Sequence, residues 1–338
     1  MMRSLDKTER RKEKMLSDKD ALVRRKELAE KKAHRIAKKF DRSKASVVTG
    51  FFSMQAEVLT PEGEQMRLHM RRTLRDRPVV GDMVIAKRSG DGGVLETILP
   101  RDNTLTRLDD RGRKQLLAAN IDYLIIISSI EPVLKVRLID RYLTLAHNQG
   151  ITPMIVLNKI DLPEKNREVE KINFYRELGY PVHSVSAVTG DGIDEFRNEV
   201  NGKKVFLVGQ SGVGKSTLIN KLIPGLDIHV NVISGHTLKG KHTTSAAQAY
   251  RFGETGMVID TPGIRSFALH GIEPAHVQRG FIEFADHSSG CSFDNCLHQE
   301  EPDCSVRDAV EKGKISETRY DSYLRILDSL QNPDVLPY

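Results

Sequence analysis

The stretch KVFLVGQSGVGKSTLINKLI (204–223) decides the fold. An apolar run, KVFLVG, leads into a glycine-rich turn, and TLINKLI behind it carries an amphipathic helical pattern. That is the strand–loop–helix context in which Gly-x4-Gly-Lys-Ser holds phosphate. Gly209, Gly212 and Gly214 let the backbone turn tightly and aim N–H groups at phosphate oxygens; Gln210, Ser211, Val213 and Thr217 complete the loop. Lys215 adds charge at the β/γ oxygens, Ser216 is placed for Mg2+, and the helix N-terminus favours an anion.

Two further segments complete a base-and-phosphate site. GMVIDTPG (256–263) is a buried strand ending in Asp260, which can hold Mg2+ through water, and Gly263, whose N–H can sense a γ-phosphate. PMIVLNKID (153–161) ends another such strand. There the Asp161 carboxylate can accept from guanine N1 and the exocyclic amine, a pairing adenine does not offer. Lys159 would lie along the ring, and Asn158 would brace the phosphate loop. NKID on its own also reads as a strand-to-helix cap. SAVTG (186–190) follows one strand later, with Ser186 beside Ala187, whose N–H is suited to guanine O6. The base-reading half thus precedes the phosphate-binding half. A parallel sheet fixes the place of each strand and not where the chain begins, so the order predicts a nucleotide-binding domain whose old ends are joined and whose chain is cut elsewhere.

From about residue 105 to 270, apolar runs alternate with helical patterns around 166–178 and 192–200, predicting a parallel sheet covered by helices. Residues 45–104 differ. Short, partly alternating runs divided by PEG, RPVVGD and GDGG predict a small antiparallel barrel of the OB type, a common oligonucleotide platform. RLHMRRTLRDR (67–77) gathers five arginines and a histidine there, which suits RNA phosphates. Phe51 and Phe52 read as barrel core, with base stacking as the alternative.

The 338 residues carry a net charge of +6, unevenly spread. Residues 1–45 hold 17 of the 52 Lys/Arg and 8 of the 46 Asp/Glu, a net +9, which leaves −3 for the remainder. Such a helical arm is read as a contact for a polyanion, nucleic acid before membrane; the bland alternative is a solvated tail. No apolar run approaches the roughly 20 residues that span a bilayer, and MMRSLDKTERRKEK lacks the apolar centre of a secretory signal. A cytoplasmic protein is expected.

All three cysteines lie in CSFDNCLHQEEPDC (291–304). Cys291, Cys296, His298 and Cys304 offer three thiolates and an imidazole, a donor set for one tetrahedral Zn2+ in a closed structural site. His287 is the alternative imidazole. Redox thiols and an iron–sulfur cluster are the competing readings.

Hydrolysis needs a group to orient water. The residue after DTPG is Ile264, which cannot hydrogen-bond through its side chain, so intrinsic turnover should be slow. GHTLKGKHTTSA (235–246) offers polar substitutes in His236, His242, Thr243 and Thr244. Chemistry alone does not separate the two histidines.

The order NKID, SAVTG, GQSGVGKS, GKHTTS, DTPGIRSF and Cys-x4-Cys-x-His-x5-Cys resembles the circularly permuted GTPases of the ribosome small subunit-dependent GTPase A family, from about Ser46 to about Arg319. The resemblance implies His242 as the water-orienting residue and Thr244 as a Mg2+ ligand, with Thr243 second. It also implies a GTP/GDP cycle tied to late maturation of the small (30S) ribosomal subunit, with the subunit and its 16S rRNA as partners and as activator, and a protein that acts as a monomer. The basic arm lies outside the resemblance. The expected organisation is therefore an arm (1–44), an OB-fold barrel (45–104), a circularly permuted P-loop GTPase domain (105–270) and a helical zinc-binding domain (271–338). The alternative is an RNA-binding protein switched by guanine nucleotide without significant turnover.

Overall fold

A computed structural model describes residues 41–332 apart from 71–73, 75, 90–91, 109–112, 164, 227–246, 261–268 and 270. Contacts divide the chain into two compact units: residues up to Pro78 with Asp82–Arg101, and Val79–Gly81 with residues from Asp102 onward.

The first unit is a closed five-stranded barrel of β1 (Ser46–Phe52), β2 (Gln55–Leu59), β3 (Gln65–Met70), β4 (Met83–Ser89) and β5 (Gly92–Ile98), in the order β1-β2-β3-β5-β4. β1 closes on β4, and β3 and β5 are the one parallel pair. This is the expected OB-fold. Alternation puts Val48, Ala56, Val58, Leu68, Val84 and Leu95 inside. Arg101 clamps the fully buried Asp82 through two bonds of 2.7 and 2.8 Å. Phe51 and Phe52 depart from expectation: they are 37% and 58% exposed rather than core. β4 pairs with β1 only at Ser46 and Val47. A bulge shifts register between Val48 and Gly50. The phenylalanines thus sit where β1 has run past its pairing with β4 and keeps only β2 beside it, and the Arg67 guanidinium lies 4.7 Å from the Phe52 ring centre. Arg67 and His69 lie on β3; Arg71, Arg72 and Arg75 are outside the described residues.

The second unit opens with a hairpin of β6 (Thr104–Leu108) and β7 (Lys114–Ala119), which the sequence reading did not predict. The main sheet follows: β8 (Tyr123–Ser129), β9 (Thr152–Asn158), β10 (Val182–Ser184), β11 (Lys204–Gly209), β12 (Gln248–Phe252) and β13 (Gly256–Asp260), in the order β10-β9-β8-β11-β13-β12. All pairs are parallel except β12 with β13, an antiparallel edge. β8, β9, β11 and β13 are buried over nearly their whole length, as strands covered on both faces must be. The helices are α1 (Val136–Asn148), α2 (Lys165–Glu177), α3 (Ile193–Val200) and α4 (Lys215–Leu222).

The strand order explains the reversed motifs. β8, β9 and β10 run outward from the sheet centre on one side, and β11, β13 and β12 occupy the other. Either half can come first in the chain without moving a strand. The halves meet at β8 and β11, and ligands of open α/β sheets lie beyond the carboxyl ends of strands at such a point.

After Gly271, short 3-10 turns at Pro274–Gly280 and Ile282–Phe284 precede α5 (Ala285–Ser288), α6 (Ser305–Glu311) and α7 (Glu317–Gln331). α7 packs against α1 and the first 3-10 turn. Among the described residues no helix is long and apolar enough to cross a membrane.

Candidate functional site

The phosphate loop spans the gap between the end of β11 at Gly209 and the start of α4 at Lys215. Its conformation requires glycine. Gly214 has φ +92°, and a Cβ there would stand 2.4 Å from Asn158 Nδ2. Lys215 Nζ donates to the carbonyls of Gly209 (2.8 Å) and Gln210 (3.0 Å), so the ammonium lies over the loop. Burial holds its pKa below the ordinary value, and the Asp260 carboxylate works in the opposite direction. The end of β13 is thus near enough for its carboxylate to act on the lysine's charge. An ammonium short of counter-charge is what an entering phosphate would stabilise. Val213 is buried in the core, whereas Ser211 and Gly212 are exposed and Ser216 and Thr217 are half-buried.

The base-side loop is tied to this cradle by one side chain. Asn158, 1% exposed, donates from Nδ2 to the Val213 carbonyl at 2.9 Å. Its Oδ1 accepts from the N–H groups of Lys159 (2.8 Å) and Ala187 (3.1 Å). NKID, SAVTG and the phosphate loop therefore converge, as the sequence predicts for Asn158. The Ala187 N–H, expected to be offered to guanine O6, here donates to the carboxamide instead. The Ser186 hydroxyl donates to Asp161 Oδ1 at 2.6 Å. Ser186 Oγ itself accepts from the N–H groups of Val188 and Thr189. Asp161 is exposed yet fixed in direction, which suits a carboxylate that must meet two N–H groups of an entering base.

One contributor carried no signal in the sequence. Lys159, at φ +66°, donates from Nζ to the Glu131 carbonyl, in the segment between β8 and α1. A backbone acceptor has no residue signature, so IEPVLK (130–135) reads as an ordinary connection. His236, His242, Thr243, Thr244 and Gly263 lie outside the described residues.

The second constellation is the Cys/His cluster. Its four ligand atoms lie within 4.8 Å of one another. Cys291 Sγ is 3.6 Å from His298 Nδ1 and 3.9 Å from Cys304 Sγ, and Nδ1 is 3.4 Å from Cys304 Sγ. A tetrahedral zinc with ordinary bond lengths requires S···S edges of about 3.8 Å and S···N edges of about 3.5 Å. The sulfurs are far beyond the roughly 2.05 Å of a disulfide. Burial pushes the Cys296 thiol up to about 12. A divalent cation is what would make these thiols anionic. His298 directs Nε2 to Gln278 Oε1 at 3.2 Å, the outer contact that fixes a ligand imidazole. His287 is not part of the cluster. Elements far apart in sequence support it: Cys304 caps α6, and from α7 Tyr320 and Tyr323 donate to the carbonyls of His298 (2.6 Å) and Leu297 (2.8 Å).

Residues 98–270 match the family model described as RsgA GTPase. A protein of Yersinia pseudotuberculosis called small ribosomal subunit biogenesis GTPase RsgA is 41% identical over 297 residues, covering 84% of this chain and 85% of its own. One of the same name from Sodalis glossinidius is 42% identical over 294 residues, with the same coverage. Among solved structures, YjeQ from Thermotoga maritima superposes with a TM-score of 0.73 at 33% identity, covering 86% of this chain and 99% of its own. YloQ, described as a circularly permuted GTPase, gives 0.70 at 26% identity, covering 86% and 96%.

Proposed function

Because the chain belongs to the RsgA GTPase family, we propose that it hydrolyses GTP in the biogenesis of the small ribosomal subunit. The observation that carries this reading is the Asn158 carboxamide, which ties the base-reading loops to the phosphate loop. On this reading Asp161 selects guanine, Lys159 lies along the ring, Ser186 aims Asp161 and Ala187 contributes its N–H. The phosphates take Gly209–Thr217, with Lys215 as counter-charge. Ser216, Thr244 and, through water, Asp260 are the Mg2+ partners, and the ion neutralises phosphate charge when bound. Thr243 and Gly263 close the phosphate end, and His242 orients the attacking water, with His236 as its rival. Cys291, Cys296, His298 and Cys304 would hold one structural Zn2+, consistent with their spacing.

The division into arm (1–44), barrel (45–104), GTPase domain (105–270) and zinc-binding domain (271–338) belongs to the same proposal. So do a cytoplasmic, monomeric protein and 16S rRNA as the surface met by barrel and arm. With Ile264 where a polar residue would help, the protein is a poor hydrolase until the subunit arranges its loops, and it leaves once GTP is cleaved. Two measurements test this. Guanine and adenine nucleotides are titrated against the full chain, and GTP turnover is compared with and without purified small subunits. Binding of GDP but not ADP, and turnover raised by the subunit, are expected. Preference for ADP would defeat the site assignment, and an unchanged rate would defeat the role of the subunit. His242→Ala should bind GDP normally and lose the stimulated turnover.

A further inference from the structure

Residues 130–135, between β8 and α1, lie against both halves of the nucleotide cradle. The Glu131 carbonyl holds Lys159 Nζ. Pro132, Leu134 and Leu138 line a small cavity together with Gln210 and Val213 of the phosphate loop. Ser129 Oγ braces this strap by donating to the Pro132 carbonyl at 3.2 Å.

The strap runs directly into α1, a rod about 20 Å long, and α1 is clamped by the C-terminal module. Arg319 of α7, 1% exposed, donates to Asp140 of α1 at 2.6 Å. It also donates to both carboxylate oxygens of Glu283, at 2.8 and 3.0 Å, and to the Gly280 carbonyl at 2.9 Å. Its guanidinium stacks 4.2 Å from the Phe281 ring centre. Tyr175 of α2 donates to the same Asp140 oxygen at 2.6 Å. On either side, Arg137 pairs with Asp321 at 2.8 Å and Asn148 donates to the His276 carbonyl at 3.0 Å. At Gly280 the two backbones touch: a Cβ there would stand 2.5 Å from Thr144 Cα.

We propose that the C-terminal module is a positioning element of the base site. Arg319, acting through Asp140, α1 and the strap, holds Lys159 where the plane of the base must rest. Nucleotide binding and docking of the module on α1 then favour one another, and by linkage each strengthens the other by the same factor. This rests on the reading of the pocket as a guanine-nucleotide site.

The test uses the full zinc-loaded chain. Arg319→Ala takes the cationic partner from the buried Asp140 and the part-buried Glu283 and is a poor probe. Gly280→Ala pushes the module from α1 without touching either cluster of functional side chains, and Arg137→Ala removes a half-exposed clamp. Metal content and melting temperature of each variant are measured beside its Kd for GDP. Gly280→Ala should retain zinc and raise that Kd by about fivefold or more, with Arg137→Ala shifted in the same direction by less. In the unaltered protein, GDP should slow amide hydrogen exchange in α7, which a merely structural contact would not do. Unchanged GDP affinity in a zinc-loaded Gly280→Ala protein, or α7 exchange indifferent to GDP, would overturn the proposal. A wild-type chain that does not bind GDP would bring down the pocket assignment and this inference together.

Discussion

Asn158 satisfies three backbone groups from three loops, so its removal strands a buried carbonyl at Val213 and N–H groups at Lys159 and Ala187. A buried polar group left unpaired costs about 1–3 kcal/mol. Asn158→Ala should therefore weaken GDP and GTP together by roughly 5- to 150-fold, read by fluorescence titration. Asp161→Asn should behave differently. Its amide would put a donor where guanine also donates, so affinity for GDP falls while xanthosine diphosphate, with a carbonyl at that edge, gains. Competition between the two diphosphates checks this. The role of Asn158 was legible in NKID because the motif states a side chain with a fixed job. The engagement of the Ala187 N–H and the anchoring of Lys159 were not, because a backbone group carries no letter in the sequence. Phe51 and Phe52 misled for the opposite reason: hydrophobicity marks a side chain as suited to a core, whereas the bulge and the short β1–β4 pairing decide whether a core surrounds it.

At the scale of elements, α1 carries the heaviest electrostatic commitment. Asp140 is 0% and Arg319 1% exposed, so truncating the arginine abandons a carboxylate that water cannot reach. Arg319→Ala should lower stability by about 3–5 kcal/mol, seen as a lower midpoint in chemical denaturation. The helix also carries a titrating group. Burial, helped by the positive charge of Arg319, holds the His147 imidazole below its ordinary value. Below about pH 6.5 the unfolded chain takes up a proton that the folded one resists. Stability is therefore complete above that pH and declines as pH falls through it, and His147→Gln should flatten that acid limb when melting temperature is plotted against pH. α1 itself was implied by the two apolar runs on either side of it, since parallel strands need a crossover between them. Its ionic clamp was not: Asp140, Glu283 and Arg319 are brought together from three distant elements, and periodicity speaks only of neighbours along the chain. The β6–β7 pair escaped for a related reason, since its two short strands stabilise each other and neither reads strongly alone.

For the whole molecule, the Cys/His cluster joins C-terminal segments that are separate in sequence. Cys296→Ser, or a strong chelator, should lower the melting temperature of the chain and release close to one zinc per protein, as measured by elemental analysis and calorimetry. The cluster was legible because all three cysteines fall within fourteen residues; the tyrosines of α7 that hold its carbonyls were not, being remote in sequence. The reversed motif order was legible as well, and the sheet shows why it is harmless to the finished fold. During synthesis, however, the order has a consequence. β8 is among the most apolar strands, and one of its long sides is covered only by β11, which begins at Lys204. A nascent chain therefore carries YLIIISS as a bare, sticky margin until the strand bearing the phosphate loop has been made, several seconds later at ordinary translation rates. A truncated chain ending before Lys204 should accordingly precipitate or stay bound to chaperones rather than persist as a soluble half-domain.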